Sequence, residues 1–112
     1  MDVFHAILQA AVQQGASDIH MKVGGPVVLR IARQLVDLDV PHPTHEWMEA
    51  LAKQIVPPYA LPKLVENGEV DFSYFLPGVG RFRTNLFRQG GELAMAMRHV
   101  KTVIPEFEQL GL

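Results

Sequence analysis

Arg81-Phe82-Arg83-Thr84-Asn85-Leu86-Phe87-Arg88-Gln89-Gly90-Gly91-Glu92-Leu93-Ala94-Met95-Ala96-Met97-Arg98-His99-Val100 is the stretch that decides the fold. Its arms, Arg81–Arg88 and Glu92–Val100, read as strands. Gly90-Gly91 between them suits a tight hairpin, because such turns need positive φ. Successive side chains of a strand point to opposite faces, so Arg81, Arg83, Asn85 and Phe87 share one face and Phe82, Thr84 and Leu86 the other. A two-residue turn pairs Gln89 with Glu92 and puts Arg83 opposite Arg98. A three-residue turn sends Arg98 to the other face.

Working outward, Glu69–Phe75 alternates Val70, Phe72 and Tyr74 against Asp71 and Ser73, and Leu76–Gly80 is a turn into the hairpin. Upstream, Asp2–Gln14 carries Phe4, Ile7, Leu8 and Ala11 on one helical stripe, with Gly15 placed to take the left-handed position that ends it. Ser17–Val23 alternates as a strand, Gly24-Gly25-Pro26 turns, and Val27–Ile31 is a second strand. Ala32, Arg33 and Gln34 form a turn with weak sequence support, leading to a third strand at Leu35–Leu38. Thr44 caps a second helix whose stripe is Trp47, Met48, Leu51, Ala52 and Ile55, ended by Pro57-Pro58. A short third helix, Leu61–Asn67, opens with Pro62 and closes at Gly68. The expectation is an α+β domain, mostly antiparallel sheet with helices packed on its faces and broadly PAS-like, over residues 1–103. Residues 104–112 read as a linker.

Composition narrows the function. A chain of 112 residues is one domain, and 48% hydrophobic with 20% charged residues is ordinary for a folded protein. A net charge of −2 gives no reason to expect nucleic acid as a partner. There are no cysteines, which removes disulfides, thiolate metal sites and cysteine catalysis. No apolar run approaches membrane-spanning length, and the first basic residue is Lys22, so a cytoplasmic location is expected. Neither Gly-Gly pair is followed by Lys-Ser or Lys-Thr, so no Walker A motif is present and no catalytic residue is assigned. His42 and His45 lie three apart but lack a third ligand, and no metal is expected. His20 shares a strand face with Asp18 and suits a structural hydrogen bond.

The arginine face carries the chemistry. Like charges directly opposite in an antiparallel pair repel, so Arg83 and Arg98 need either solvation or an anion between them. Guanidinium offers a planar fork of donors matched to phosphate and stays charged at any working pH. One reading gives Arg83 and Arg98, with Arg81, to a phosphate-bearing partner. The other is a solvated sheet face whose arginines pair with Glu69, Asp71 or Glu92. The phosphate reading requires guanidiniums that neither turn inward nor lock to carboxylates of their own fold.

Three stretches add a resemblance. Gly15-Ala16-Ser17-Asp18-Ile19-His20 follows the first helix; Asp71-Phe72-Ser73 precedes Pro77-Gly78-Val79-Gly80-Arg81-Phe82-Arg83-Thr84-Asn85; Ile104-Pro105 leads to Leu110-Gly111-Leu112. In this order they resemble the N-terminal, PAS-like domain of the type IV pilus retraction (twitching-motility) ATPases and their type II secretion relatives. The resemblance implies a RecA-like ATPase domain beyond residue 112, carrying Walker A and holding ATP and Mg²⁺. It implies a homo-hexamer in which this domain packs on its own and a neighbouring catalytic domain, at the cytoplasmic face of an inner-membrane pilus platform. Arg83 and Arg98 match family arginines that approach the nucleotide phosphates across the domain boundary. Met1 directly before the first helix favours retraction over pilus extension or type II secretion. A stand-alone PAS-like ligand sensor and an interaction adaptor are the rival classes. The family often has glycine after the second strand, where this chain has Ala32-Arg33-Gln34, which puts that hairpin's geometry in question.

Overall fold

The computed structural model describes residues 1–101. Among these, helix α1 (Asp2–Gln13) leads into a three-strand unit, β1 (Asp18–Lys22), β2 (Val27–Ile31) and β3 (Gln34–Leu38). Helices α2 (His45–Ile55) and α3 (Leu61–Asn67) follow, then a second unit, β4 (Glu69–Leu76), β5 (Gly80–Gln89) and β6 (Glu92–Val100). The strands form one six-stranded sheet in the order β3-β2-β1-β6-β5-β4. Every pairing in it is antiparallel. The expected α+β class holds, and the β1–β6 pairing is what joins the two units. The linker expected at 104–112 lies outside the described residues.

Local chemistry accounts for the boundaries. α1 closes with Gly15 at φ 75°, and the amides of Gly15 and Ala16 donate to the carbonyls of Val12 and Ala11 at 3.0 and 2.9 Å. This pattern satisfies helix-end carbonyls that would otherwise lack partners. At the start of α2 the Thr44 hydroxyl accepts from the Trp47 amide at 3.1 Å. α3 ends at Gly68, φ 74°.

The core is one cluster on one face of the sheet. Ile19, Met21, Val27, Leu29, Val70, Phe72, Phe82, Leu86, Leu93, Met95 and Met97 bury there with Phe4, Leu8, Met48, Leu51 and Leu64 from the helices. Burying a side chain of this size contributes about 2 kcal/mol, so this face carries most of the folding energy. Tyr74 edges against Phe4 with ring centroids 5.4 Å apart and shares a 2.6 Å hydrogen bond with His5, tying α1 to β4. Trp47, expected within the buried stripe of α2, is only partly buried beside that core. All three helices therefore cover the same side, and the sheet's second face is left open.

The β5–β6 and β2–β3 hairpins each turn through two residues. Gly90 and Gly91 take φ 58° and 85°, and Gln89 pairs with Glu92, the two-residue alternative of the sequence reading. The other turn is tighter than the sequence suggested: Ile31 pairs with Gln34, leaving only Ala32 and Arg33 to turn. Their φ values are 49° and 70°, a region that L side chains enter at a cost of about 1 kcal/mol or more per residue.

Candidate functional site

The register places one row of side chains straight across the open face. Arg30 on β2 pairs with Asp18 on β1, Asp18 with Arg98 on β6, Arg98 with Arg83 on β5, and Arg83 with Ser73 on β4. Direct cross-strand partners hold their Cβ atoms about 5 Å apart. Three guanidiniums and one carboxylate thus lie in a line, a local surplus of positive charge in a chain whose net charge is −2. The next row pairs His20 with Ala96, Ala96 with Asn85 and Asn85 with Asp71. Alanine at Ala96 leaves a groove of about 270 Å³ in front of the arginines, lined by Asp18, His20, Asp71, Arg83, Asn85 and Arg98.

The arginines expected to carry the chemistry have three different surroundings. Arg83 is exposed, and no ion pair or side-chain hydrogen bond joins it to the described residues. Asp71, the nearest carboxylate by register, accepts from the Asn85 amide at 3.0 Å instead. Arg98 is 75% exposed along its side chain, and its Nε donates to Asp18 Oδ1 at 3.3 Å. Arg81 lies over the Phe75 ring, 5.9 Å from the centroid, at the outer end of the hairpin. The guanidiniums project outward. One of them, Arg98, does bind a carboxylate of its own fold, and that carboxylate is Asp18 rather than Glu69, Asp71 or Glu92.

Asp18 is the residue to which sequence reasoning gave the wrong partner. Its Oδ2 accepts from the Ser17 hydroxyl at 2.7 Å and stands 3.8 Å from Arg30 Nε. Burial pushes the carboxyl up, but the Ser17 hydroxyl and the Arg98 guanidinium outweigh it and hold Asp18 below its usual value. It stays ionised at neutral pH. The hydrogen bond expected between His20 and Asp18 is absent among the described residues, where Ser17 and Arg98 take the carboxylate. The signal was present in Ser17-Asp18, but Arg98 lies on β6, whose pairing with β1 is not local.

The histidines split apart. His42 lies in the loop before α2, beside Pro41, Pro43 and Trp47. His45 bonds Glu92 at 2.7 Å, and Glu92 raises its pKa. Beside them Arg88 grips both oxygens of Glu49, at 2.7 and 3.0 Å. These contacts pin α2 to the tip of the β5–β6 hairpin. Among the described residues no three His, Asp or Glu side chains gather as a metal site.

No family model matches the sequence. The chain is 31% identical over 106 residues to the type IV pilus retraction ATPase PilT of Pseudomonas aeruginosa, covering 95% of this chain and 31% of that protein. It is 26% identical to the type IV pilus ATPase PilU of the same organism, covering 97% of this chain and 28% of PilU. The chain thus spans about a third of the length of the curated relatives it matches. Among solved structures it superimposes on the pilus retraction motor PilT with bound ADP at a TM-score of 0.79 and 45% identity, over 95% of this chain and 31% of that one. The Legionella pneumophila ATPase DotB shares the fold, with a TM-score of 0.74 at 23% identity over 98% of this chain and 32% of that one.

Proposed function

Given a chain homologous to the N-terminal region of PilT, a pilus retraction ATPase, we propose that it serves as the N-terminal domain of a hexameric type IV pilus retraction ATPase. In this reading it packs against the RecA-like domain of its own and a neighbouring subunit, at the cytoplasmic face of the pilus platform. It presents Arg83 and Arg98, with Arg81 at the margin, to the phosphates of ATP that the RecA-like domain holds with Mg²⁺. Lacking a Walker A motif, the chain binds and hydrolyses no nucleotide through a P-loop of its own.

The observation that carries the reading is Arg83: an exposed guanidinium on the β5–β6 hairpin, opposite a second arginine, with no carboxylate of the described fold upon it. Fixed donors aimed at phosphate oxygens stabilise developing charge without reorganising at the moment of reaction. Because those bonds form in only one arrangement of the two domains, ATP favours that arrangement and hydrolysis releases it. Domain rotation then drives pilus disassembly.

Arg83→Ala in the full-length parent tests this. Turnover should fall steeply while the hexamer persists by light scattering. Unchanged turnover would refute the phosphate role.

A further inference from the structure

The open face holds a carboxylate that phosphate binding does not use. Asp18 sits in the arginine row with Arg30 on one side and Arg98 on the other. Its side chain is 14% exposed, against 75% for Arg98 and 45% for Arg30. The carboxylate is therefore anchored at the sheet surface by Ser17, and the two guanidiniums reach back to it from solvent. Arg98 meets it through Nε alone, at 3.3 Å. Its position in the row draws Arg98 toward β1, away from Arg83.

We infer that Asp18 is an internal competitor for Arg98, holding that guanidinium off until a polyphosphate displaces it, with Arg30 as the partner that Asp18 keeps once Arg98 has left. The inference rests on the phosphate role proposed above. A carboxylate and a phosphate oxygen accept from the same fork, so one guanidinium cannot fully serve both. Were Arg98 its only cation, displacement would leave an ionised, mostly covered carboxylate beside a polyanion. Arg30, 3.8 Å away, removes that penalty. Capture of Arg98 thus costs little more than an exposed ion pair, and the pairing of Arg83 with Arg98 is made conditional on the anion. Asp18 is a positioning residue, acting on the phosphate only through Arg98.

The test is titration of the 112-residue chain with inorganic tripolyphosphate, followed by the Nε–Hε resonances of its arginines. Asp18→Asn should bind about threefold more tightly, the worth of one exposed ion pair. It should also move the Arg98 Nε–Hε signal before any anion is added. Arg98→Ala should erase the gain, so that the double variant binds like Arg98→Ala alone. Arg30→Ala should weaken binding more in the unaltered chain than in the Asp18→Asn variant. Unchanged ladder amides show that each variant is folded. A loss of structure cannot produce tighter binding. If Asp18→Asn binds equally or more weakly while Arg83→Ala weakens binding, Asp18 is no competitor and the phosphate role stands without it. If Arg83→Ala and Arg98→Ala both bind as the unaltered chain does, the phosphate role itself falls and this inference goes with it.

Discussion

The hairpin of β5 and β6 turns through Gly90-Gly91 within the sheet, and the hairpin of β2 and β3 turns through Ala32-Arg33 at its edge. Both use two residues at positive φ, and in the first both are glycines, which enter that region without a steric cost. The inner hairpin is also secured from outside. Arg88 and His45 bind it to α2, β4 and β1 flank it, and its inward side chains are among the most buried in the molecule. Among the described residues the edge hairpin has no such clamp, and Leu35 and Val36 on β3 stay exposed. What differs is how much depends on register. A slip of one residue would send Arg98 to the helix-covered face and bury a charge among methionines. The strongest fixation is found where the arginines stand.

The largest effect should come from the free arginine of the inner hairpin. On the proposed phosphate role, Arg83→Ala in an ATPase that carries this domain should lower turnover about 100-fold, the usual cost of removing one donor from a developing charge. The isolated chain carrying the same change should melt within about 1 °C of the original, because an exposed side chain with no partner among the described residues contributes little to stability. A large drop in melting temperature would make Arg83 structural and erase the contrast with Arg88, which lies on the same strand facing the helices.

The edge hairpin provides the next largest effect, in the opposite direction. Replacing Ala32-Arg33 by Asn-Gly relieves two side chains held at φ 49° and 70°. It should stabilise the chain by about 1 kcal/mol, read as a rise in the urea midpoint at constant slope. If the midpoint is unchanged, the two turns are equally relaxed and the difference between the hairpins lies in their surroundings alone.

That turn also marks how far sequence could reach. Period-two alternation and Gly90-Gly91 offered Arg83 opposite Arg98 as one of two registers, and the two-residue turn is the one the hairpin adopts. Helix ends at Gly15, Thr44 and Gly68 were equally legible, since each rests on local backbone chemistry. The edge turn was read one residue too long because nothing in alanine or arginine announces positive φ; pairing across the ladder imposes it. Asp18 was misread for a different reason. Its partners Arg30 and Arg98 reach it through two separate strand pairings, and Arg98 is 80 residues away in sequence. The open face also followed only from topology, once all helices were seen to share one side.

Cutting the clamp on the inner hairpin should have a smaller effect. Arg88→Ala removes the two-pronged contact to Glu49, partly exposed on both sides. It should cost about 0.5 kcal/mol, a fall of about 3 °C in melting temperature for a domain of this size. Tripolyphosphate binding through Arg83 should be retained, because Arg88 faces the other side of the sheet. Equal loss of binding and stability would mean that the tip contact, rather than the Gly-Gly turn and its flanking strands, sets the register.

The smallest effect is a pH dependence that separates the two halves of that clamp. The hydrogen bond and charge of Glu92 raise His45 above its ordinary value near 6.5. A raised folded-state pKa contributes stability that is complete below the ordinary value and disappears as pH rises through the raised one. The Arg88 contact does the reverse with Glu49, holding it below the ordinary carboxylate range. Its contribution is complete at neutral pH and is lost only as the solution becomes acid enough to protonate Glu49. Urea midpoints of the unaltered chain and His45→Gln should therefore differ at about pH 5.5 and converge by about pH 8. Those of the unaltered chain and Glu49→Gln should differ at both and converge only below about pH 4. A His45→Gln difference that grew toward the alkaline end would mean that the start of α2, whose dipole opposes a cation there, outweighs Glu92. The hairpin tip would then be held by Arg88 and Glu49 alone.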